Sequence, residues 1–229
     1  MKNKLNTVLA ALFATTASMA VTAADDWYGY VGMQKSKLDV DTSSIENSGL
    51  TVDKEDTGFN FGVGHRIDDN LSFEMGYMDL GKATVGTGTM AATASGSGTV
   101  GGTSYSYTST LAGTLDATVK SDGYTLGAIY SVPMADKFDG FLKAGIYFWD
   151  ADAKATGTIT AGTLTVDGTD YTSGTHDIAG LSKSGSDLYV GVGGSYELSD
   201  DLSLRADYTQ YEVWEEDVNV TGLTLVSNF

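Results

Sequence analysis

Residues 69–81 read Asp69-Asn-Leu-Ser-Phe-Glu-Met-Gly-Tyr-Met-Asp-Leu-Gly81, and a strict two-residue alternation sets Leu71, Phe73, Met75 and Tyr77 against Ser72, Glu74 and Gly76. Successive side chains of a β-strand point to opposite faces, so this segment has one apolar side and one side with a carboxylate at mid-strand. A soluble sheet would turn the apolar side inward and leave Glu74 in water. A strand facing lipid would do the reverse, and the rest of the chain decides between the two.

The same two-sidedness recurs along the sequence. Upstream, Phe59, Phe61, Val63 and Ile67 alternate with Asn60, Gly62, Gly64 and Arg66, and Asp68-Asp69-Asn70 makes a tight turn into the segment just read. Before that, Trp27-Tyr-Gly-Tyr-Val-Gly-Met33 is a strand with Val31 and Met33 on one face, followed by an acidic connection from about residue 41 to 56. Downstream, Tyr124, Leu126, Ala128, Tyr130 and Val132 oppose Thr125, Gly127 and Ser131, with Ile129 breaking the polar side. A short turn at 134–137 leads to Leu142, Ala144, Ile146 and Phe148 against Lys143, Gly145, Tyr147 and Trp149. Leu188, Val190, Val192 and Tyr196 then oppose Tyr189, Gly191, Gly193 and Ser195. After Ser199-Asp-Asp201, Leu202, Leu204, Ala206 and Tyr208 oppose Ser203, Arg205, Asp207 and Thr209, and a last strand runs from Asn219 to Phe229 behind an acidic turn at 215–217.

These are eight strands joined alternately by long and short connections, the long ones at about 41–56, 82–118 and 151–183. Even strand number, strands of about ten residues and short turns on one side only are the pattern of a transmembrane β-barrel. A lipocalin-like soluble barrel would need the apolar set inside and the charges outside. The fold class expected is therefore all-β, an eight-stranded antiparallel transmembrane barrel. The stretch 82–118 is either mobile or an extended hairpin, and Thr158 to Thr169, with strand alternation and an Asp167-Gly168 turn signal, is expected to form a hairpin beyond the membrane.

Composition limits the function. Thirty acidic against thirteen basic residues give a formal charge of −17, which repels nucleic acid. The absence of cysteine removes disulfides and thiolate metal sites. Lys2 and Lys4, the apolar run Val8 to Ala20 and small residues at 21–23 read as a secretory signal over residues 1–23, leaving 24–229 as the barrel. That run is shorter than the about 20 residues needed to span a bilayer as a helix.

The runs Phe73-Glu-Met-Gly-Tyr77, Lys143-Ala-Gly145 with Trp149-Asp-Ala-Asp152, and Leu204-Arg-Ala-Asp-Tyr208 resemble the transmembrane domain of the OmpA family over essentially the whole mature chain. The resemblance implies that Glu74, Lys143 and Arg205, with Asp207 beside Arg205, form a charge network inside the barrel; Arg66 shares their glycine-rich parity. Gly127 stands where the family has an interior lysine and Ser195 where it has a sixth-strand acid, so its switchable gate lacks those members here. The peptidoglycan-binding domain of longer members is not expected, since the sequence stops at Phe229. Phe229, with Leu225 and Leu223 at two-residue spacing, resembles the signal read by the barrel assembly machinery, with Ser227 a weaker match.

Catalysis finds no constellation. His65 falls on the lipid-facing parity, His176 lies beside Asp177 in a long connection, and no nucleophile, base and orienting acid line up. Carboxylates such as Asp53, Glu55, Asp56, Asp150, Asp152, Glu212 and Glu216 are expected in solvated outer loops, with no calcium-loop spacing and no metal or cofactor implied. Trp27, Tyr130, Tyr196, Tyr208 and Trp214 suit aromatic girdles at the membrane interfaces. The expectation is a monomeric barrel in a Gram-negative outer membrane, both termini periplasmic, with a polar interior filled by side chains and a structural or surface-interaction role. Its partners would be outer-membrane lipid and lipopolysaccharide, the assembly machinery and an extracellular ligand at the loops. The alternative is a narrow porin; an eight-stranded interior, just wide enough to be filled by side chains, favours the first.

Overall fold

The computed structural model describes residues 26–39, 43, 46, 50–100, 103–162, 164–166 and 169–229; the leader expected at 1–23 and the Asp167-Gly168 turn lie outside them. The elements are β1 (Trp27–Asp39), β2 (Thr51–Asp53), β3 (Glu55–Arg66), β4 (Leu71–Val100), β5 (Thr103–Ala135), β6 (Phe138–Ala161), β7 (Leu164–Val166), β8 (Thr169–Tyr171), β9 (Gly174–Ser199), β10 (Leu202–Val213) and β11 (Glu216–Asn228). Eight of them close a ring in the order β4, β3, β1, β11, β10, β9, β6, β5, with β5 pairing back onto β4 and every pairing antiparallel. Closure removes the sheet edges at membrane depth, which no spanning structure can leave open in lipid.

The alternation resolves as the sequence requires. Leu188 is 71% exposed and Leu142 61%, whereas Tyr147 is 0% and Ile129 3%, so the apolar rows face out and the centre is filled. Ile129, which interrupts its strand's polar parity, is therefore an interior residue. On β1 the glycines leave parity unreadable in the sequence; Tyr28, Tyr30, Gln34 and Ser36 are the buried set. Trp27, Tyr130, Tyr196 and Tyr208 face outward, as an aromatic girdle requires, but Trp214 does not: it packs against the interior cluster.

Strand length is where the sequence reading left most open: of the two forms expected of 82–118, the structure has the extended hairpin. The connections at 82–118 and 151–183 are largely strand, so β4, β5, β6 and β9 have 30, 33, 24 and 26 residues while β1, β3, β10 and β11 have 12 or 13. About ten residues suffice to cross the membrane, so the four long strands continue as a sheet standing on one side of the barrel. Beyond the bilayer both faces of a sheet are wet, and the Thr, Ser and Gly found there keep strand pairing without an apolar row. Residues 83–115 contain no charged residue. The hairpin expected from Thr158 to Thr169 is displaced: Thr158 lies on β6 and pairs with Thr175 of β9, and the small β7–β8 hairpin follows. The carboxylates named above as loop residues are likewise on strands: Asp150 and Asp152 on β6, Glu212 on β10, Glu216 on β11, Asp53 on β2, and Glu55 and Asp56 on β3. The last turn is Trp214–Glu215, with φ of 56° and 69°, between Val213 and Glu216. Two positive φ angles in a two-residue loop match the right-handed twist of the strands they join.

Candidate functional site

Strands β4 and β10 stand on opposite sides of the ring, and Glu74 of β4 and Arg205 of β10 point inward at a similar height. Arg205 Nη1 donates to Glu74 Oε1 across the lumen at 2.5 Å, with both side chains 13% exposed. The Tyr28 hydroxyl donates to the same carboxylate oxygen at 2.9 Å and lies 3.0 Å from Ser72 Oγ. The guanidinium of Arg205 sits 5.3 Å from the Tyr28 ring and 5.8 Å from that of Phe141. Arg66 covers the Tyr28 ring at 5.2 Å and donates to Asn228 Oδ1 at 2.7 Å. Charges that would be costly against lipid are here paired and hydrogen-bonded within the protein.

Lys143 does not join Glu74. Its ammonium meets Asp207 Oδ2 at 2.6 Å, and Thr209 Oγ1 donates to the same oxygen at 2.7 Å. The five interior residues named from the sequence thus form two separate pairs, with Arg66 tied to Asn228. Gly127, at the position of the family's interior lysine, pairs with Glu74 along the sheet, and a Cβ there would collide with the Tyr189 hydroxyl and the Ala144 carbonyl. Gly64, on the other side of Glu74, makes room for the Tyr28 ring in the same way.

Sequence reasoning missed what lies above these pairs. The upper interior is apolar: Met78 and Leu80 from β4, Tyr147, Trp149 and Ala151 from β6, Tyr189 from β9, Tyr211 and Val213 from β10, and Val218 and Val220 from β11 form one buried cluster. Tyr211 meets the Tyr147 ring edge-on at 5.4 Å and stacks on Tyr189 at 5.1 Å. Trp149 Nε1 donates to Asp187 at 2.6 Å, and the Tyr147 hydroxyl lies 3.4 Å from Ser121 Oγ. Above the charge pairs apolar and aromatic side chains therefore dominate the interior, with Gln34, Ser36 and Ser121 the buried polar residues among them. A signal existed: on the inward parity of β4 the chain changes from Ser72 and Glu74 to Met78 and Leu80.

Outside the lumen, the ring of His65 stacks on Trp27 at 4.7 Å, and the backbone of His176 is part of β9, paired with Gly157. Leu223 faces outward, 54% exposed, and Phe229 packs its ring against Gly29 while its amide donates to the Trp27 carbonyl at 3.3 Å. Among the described residues no group of three His, Cys, Asp or Glu is placed to hold a metal ion.

Comparison with known proteins gives one family match: the profile described as the OmpA-like transmembrane domain covers residues 22–221. No curated protein matches. Among solved structures, the Ail attachment invasion locus protein of Yersinia pestis, crystallised with the heparin analogue sucrose octasulfate, is similar at 14% identity and a TM-score of 0.49, over 90% of this chain and 100% of that one. Neisserial surface protein A is similar at 15% identity and 0.46, over 89% and 97%. The N-terminal barrel of Pseudomonas aeruginosa OprF is similar at 12% identity and 0.44, over 90% and 100%.

Proposed function

Since the chain belongs to the OmpA-like transmembrane domain family and is an outer-membrane barrel, we propose that it is a sealed barrel whose work is structural and at the cell surface, not transport. The observation that supports this reading is that two layers of side chains lie across the lumen. One layer is held by Glu74 with Arg205 and Lys143 with Asp207, and the layer above it by Tyr147, Trp149 and Tyr211. An ion crossing the lower layer would have to break paired charges, and one crossing the upper layer would have to enter an aromatic core, shedding water at both.

In this reading the short turns at 68–70, 136–137 and 200–201 and both termini face the periplasm. The tall sheet of β4, β5, β6 and β9 then stands outside, where it meets lipopolysaccharide and any extracellular ligand. Residues 1–23 direct export, and Phe229, Leu225 and Leu223 present the last strand to the assembly machinery. No catalytic step is assigned: His65 is engaged with Trp27 at the lipid-facing surface. The test is single-channel conductance of the refolded chain in a planar bilayer. A sealed barrel gives at most rare, small openings; steady openings in the unsubstituted protein would favour the narrow porin and overturn the reading.

A further inference from the structure

Above the aromatic layer the barrel ends in a cup of about 300 Å³, closed beneath by the cluster just described and lined by residues of β1, β4, β5, β6, β10 and β11. A mouth that merely held water would be lined by polar groups. This one is walled mainly by Leu80, Val85, Val119, Val213, Val218 and Trp214, with the polar groups of Ser36, Ser121, Lys54 and Glu216 also lining it. The lining depends on a local irregularity of β4. Its register on β5 shifts between Asp79 and Lys82 and again between Thr84 and Gly86, and Gly81 takes a φ of 81°. Uninterrupted alternation from Leu80 would bring Lys82 and Thr84 inward; the two shifts bring Ala83 and Val85 to the cup and leave Lys82 exposed. Bulges re-aim side chains in this way next to functional sites.

We propose that the cup is a binding site for one neutral or cationic small molecule carrying an alkyl or aryl group. Its volume equals about ten waters' share of liquid, room for roughly a ten-carbon chain or a bicyclic aromatic group. Concave apolar walls are poorly hydrated, and a ligand that covers them is gained without loss of good hydrogen bonds. The sign of the head group follows from charge: a chain at −17 repels an anion. The site is a dead end above the lumen seal, so the proposal goes beyond the sealed-barrel reading and is tested by a different measurement.

Trp214 in the wall and Trp27 at the lipid face supply reporters within the full chain. Two proteins, both with Trp149→Phe and carrying either Trp27→Phe or Trp214→Phe, are refolded in phosphatidylcholine vesicles and titrated with 8-bromo-1-octanol, 8-bromooctyltrimethylammonium and 8-bromooctanoate. The expected result is saturable quenching of Trp214 by the first two at concentrations about tenfold below those that quench Trp27, with the carboxylate at least tenfold weaker. Val85→Phe with Val119→Phe, which fills the cup, abolishes the saturable phase. Parallel, unsaturated quenching of both tryptophans means partition into lipid only and overturns the proposal, as does saturation that survives filling. If Trp149→Phe fails to fold, calorimetric titration of the unsubstituted and filled proteins in vesicles with the bromo-alcohol decides the matter: the proposal requires, above the heat of partition into protein-free vesicles, a saturable heat in the first and none in the second, and equal heats overturn it.

Discussion

Glu74→Ala leaves the Arg205 guanidinium facing the rings of Tyr28 and Phe141 with no anion across the lumen. Removing one partner of a buried pair costs about 3–5 kcal/mol. Two aromatic faces within 6 Å return about 1 kcal/mol of that. The Tyr28 hydroxyl loses its carboxylate acceptor but keeps Ser72 beside it, a change worth about 1 kcal/mol at most. The net expectation is a loss of about 2–5 kcal/mol, or about 30- to 4,000-fold in the unfolding equilibrium. Glu74→Gln combined with Arg205→Met, which removes both charges while keeping bulk, should cost less than either single change. The assay is guanidinium unfolding of vesicle-inserted protein followed by tryptophan fluorescence, with bilayer conductance measured on the same preparations. Because the upper layer is untouched, conductance should stay at the unsubstituted level. A Glu74→Ala protein within about 0.5 kcal/mol of the parent, the range of an ordinary surface substitution, would refute the energetic argument. One that conducts freely would refute the second seal.

Opening the lumen should require both layers: Glu74→Ala, Tyr147→Ala and Tyr211→Ala together should produce steady channel openings that neither Glu74→Ala alone nor the tyrosine pair alone produces. Gly127→Val should destabilise the barrel by about 1–3 kcal/mol in the same unfolding assay, because its side chain meets the Tyr189 hydroxyl and the Ala144 carbonyl; an unchanged midpoint would show that the ring moves aside freely. Amide exchange should be slower on β6 from Ala151 to Thr158, paired on both sides by β5 and β9, than on β4 from Gly88 to Val100, paired only with β5; the reverse order would mean that the standing sheet is not a sheet. Protease added to intact cells should leave the 68–70 and 200–201 turns uncut, and cleavage there would invert the proposed topology.

The membrane-spanning part was legible because lipid imposes a strict rule on alternate residues, so Phe73, Leu142 and Val190 announce their face without any contact being known. Glu74 and Arg205 were legible as members of one interior charge network through their parity and the family resemblance. Two things were hidden. The heights of β4, β5, β6 and β9 could not be read because water makes no demand on either face, and Thr- and Gly-rich sequence serves a strand or a loop equally well. The aromatic layer was hidden because inward parity says that Tyr147 and Tyr211 point into the barrel but not that they meet there. Lys143 illustrates the same limit: its parity was right, and its choice of Asp207 over Glu74 depends on shear between strands that alternation does not encode.

The standing sheet also sets how close this negatively charged molecule can come to another negatively charged surface. Above Ala112, where β6 stops pairing with β5, residues 91–100 and 103–112 continue as a two-stranded ribbon of about 30 Å, every residue of it uncharged. In physiological salt a field decays over about 8 Å, and the last charges of its own two strands, Lys82 and those from Asp116 downward, lie about 43 Å or more below the ribbon's end, roughly five decay lengths. An approaching anionic surface therefore meets this uncharged ribbon before it meets the repulsion of those charges. Ionic strength should accordingly have little effect on contacts made at the ribbon and a large one on contacts made at the barrel rim.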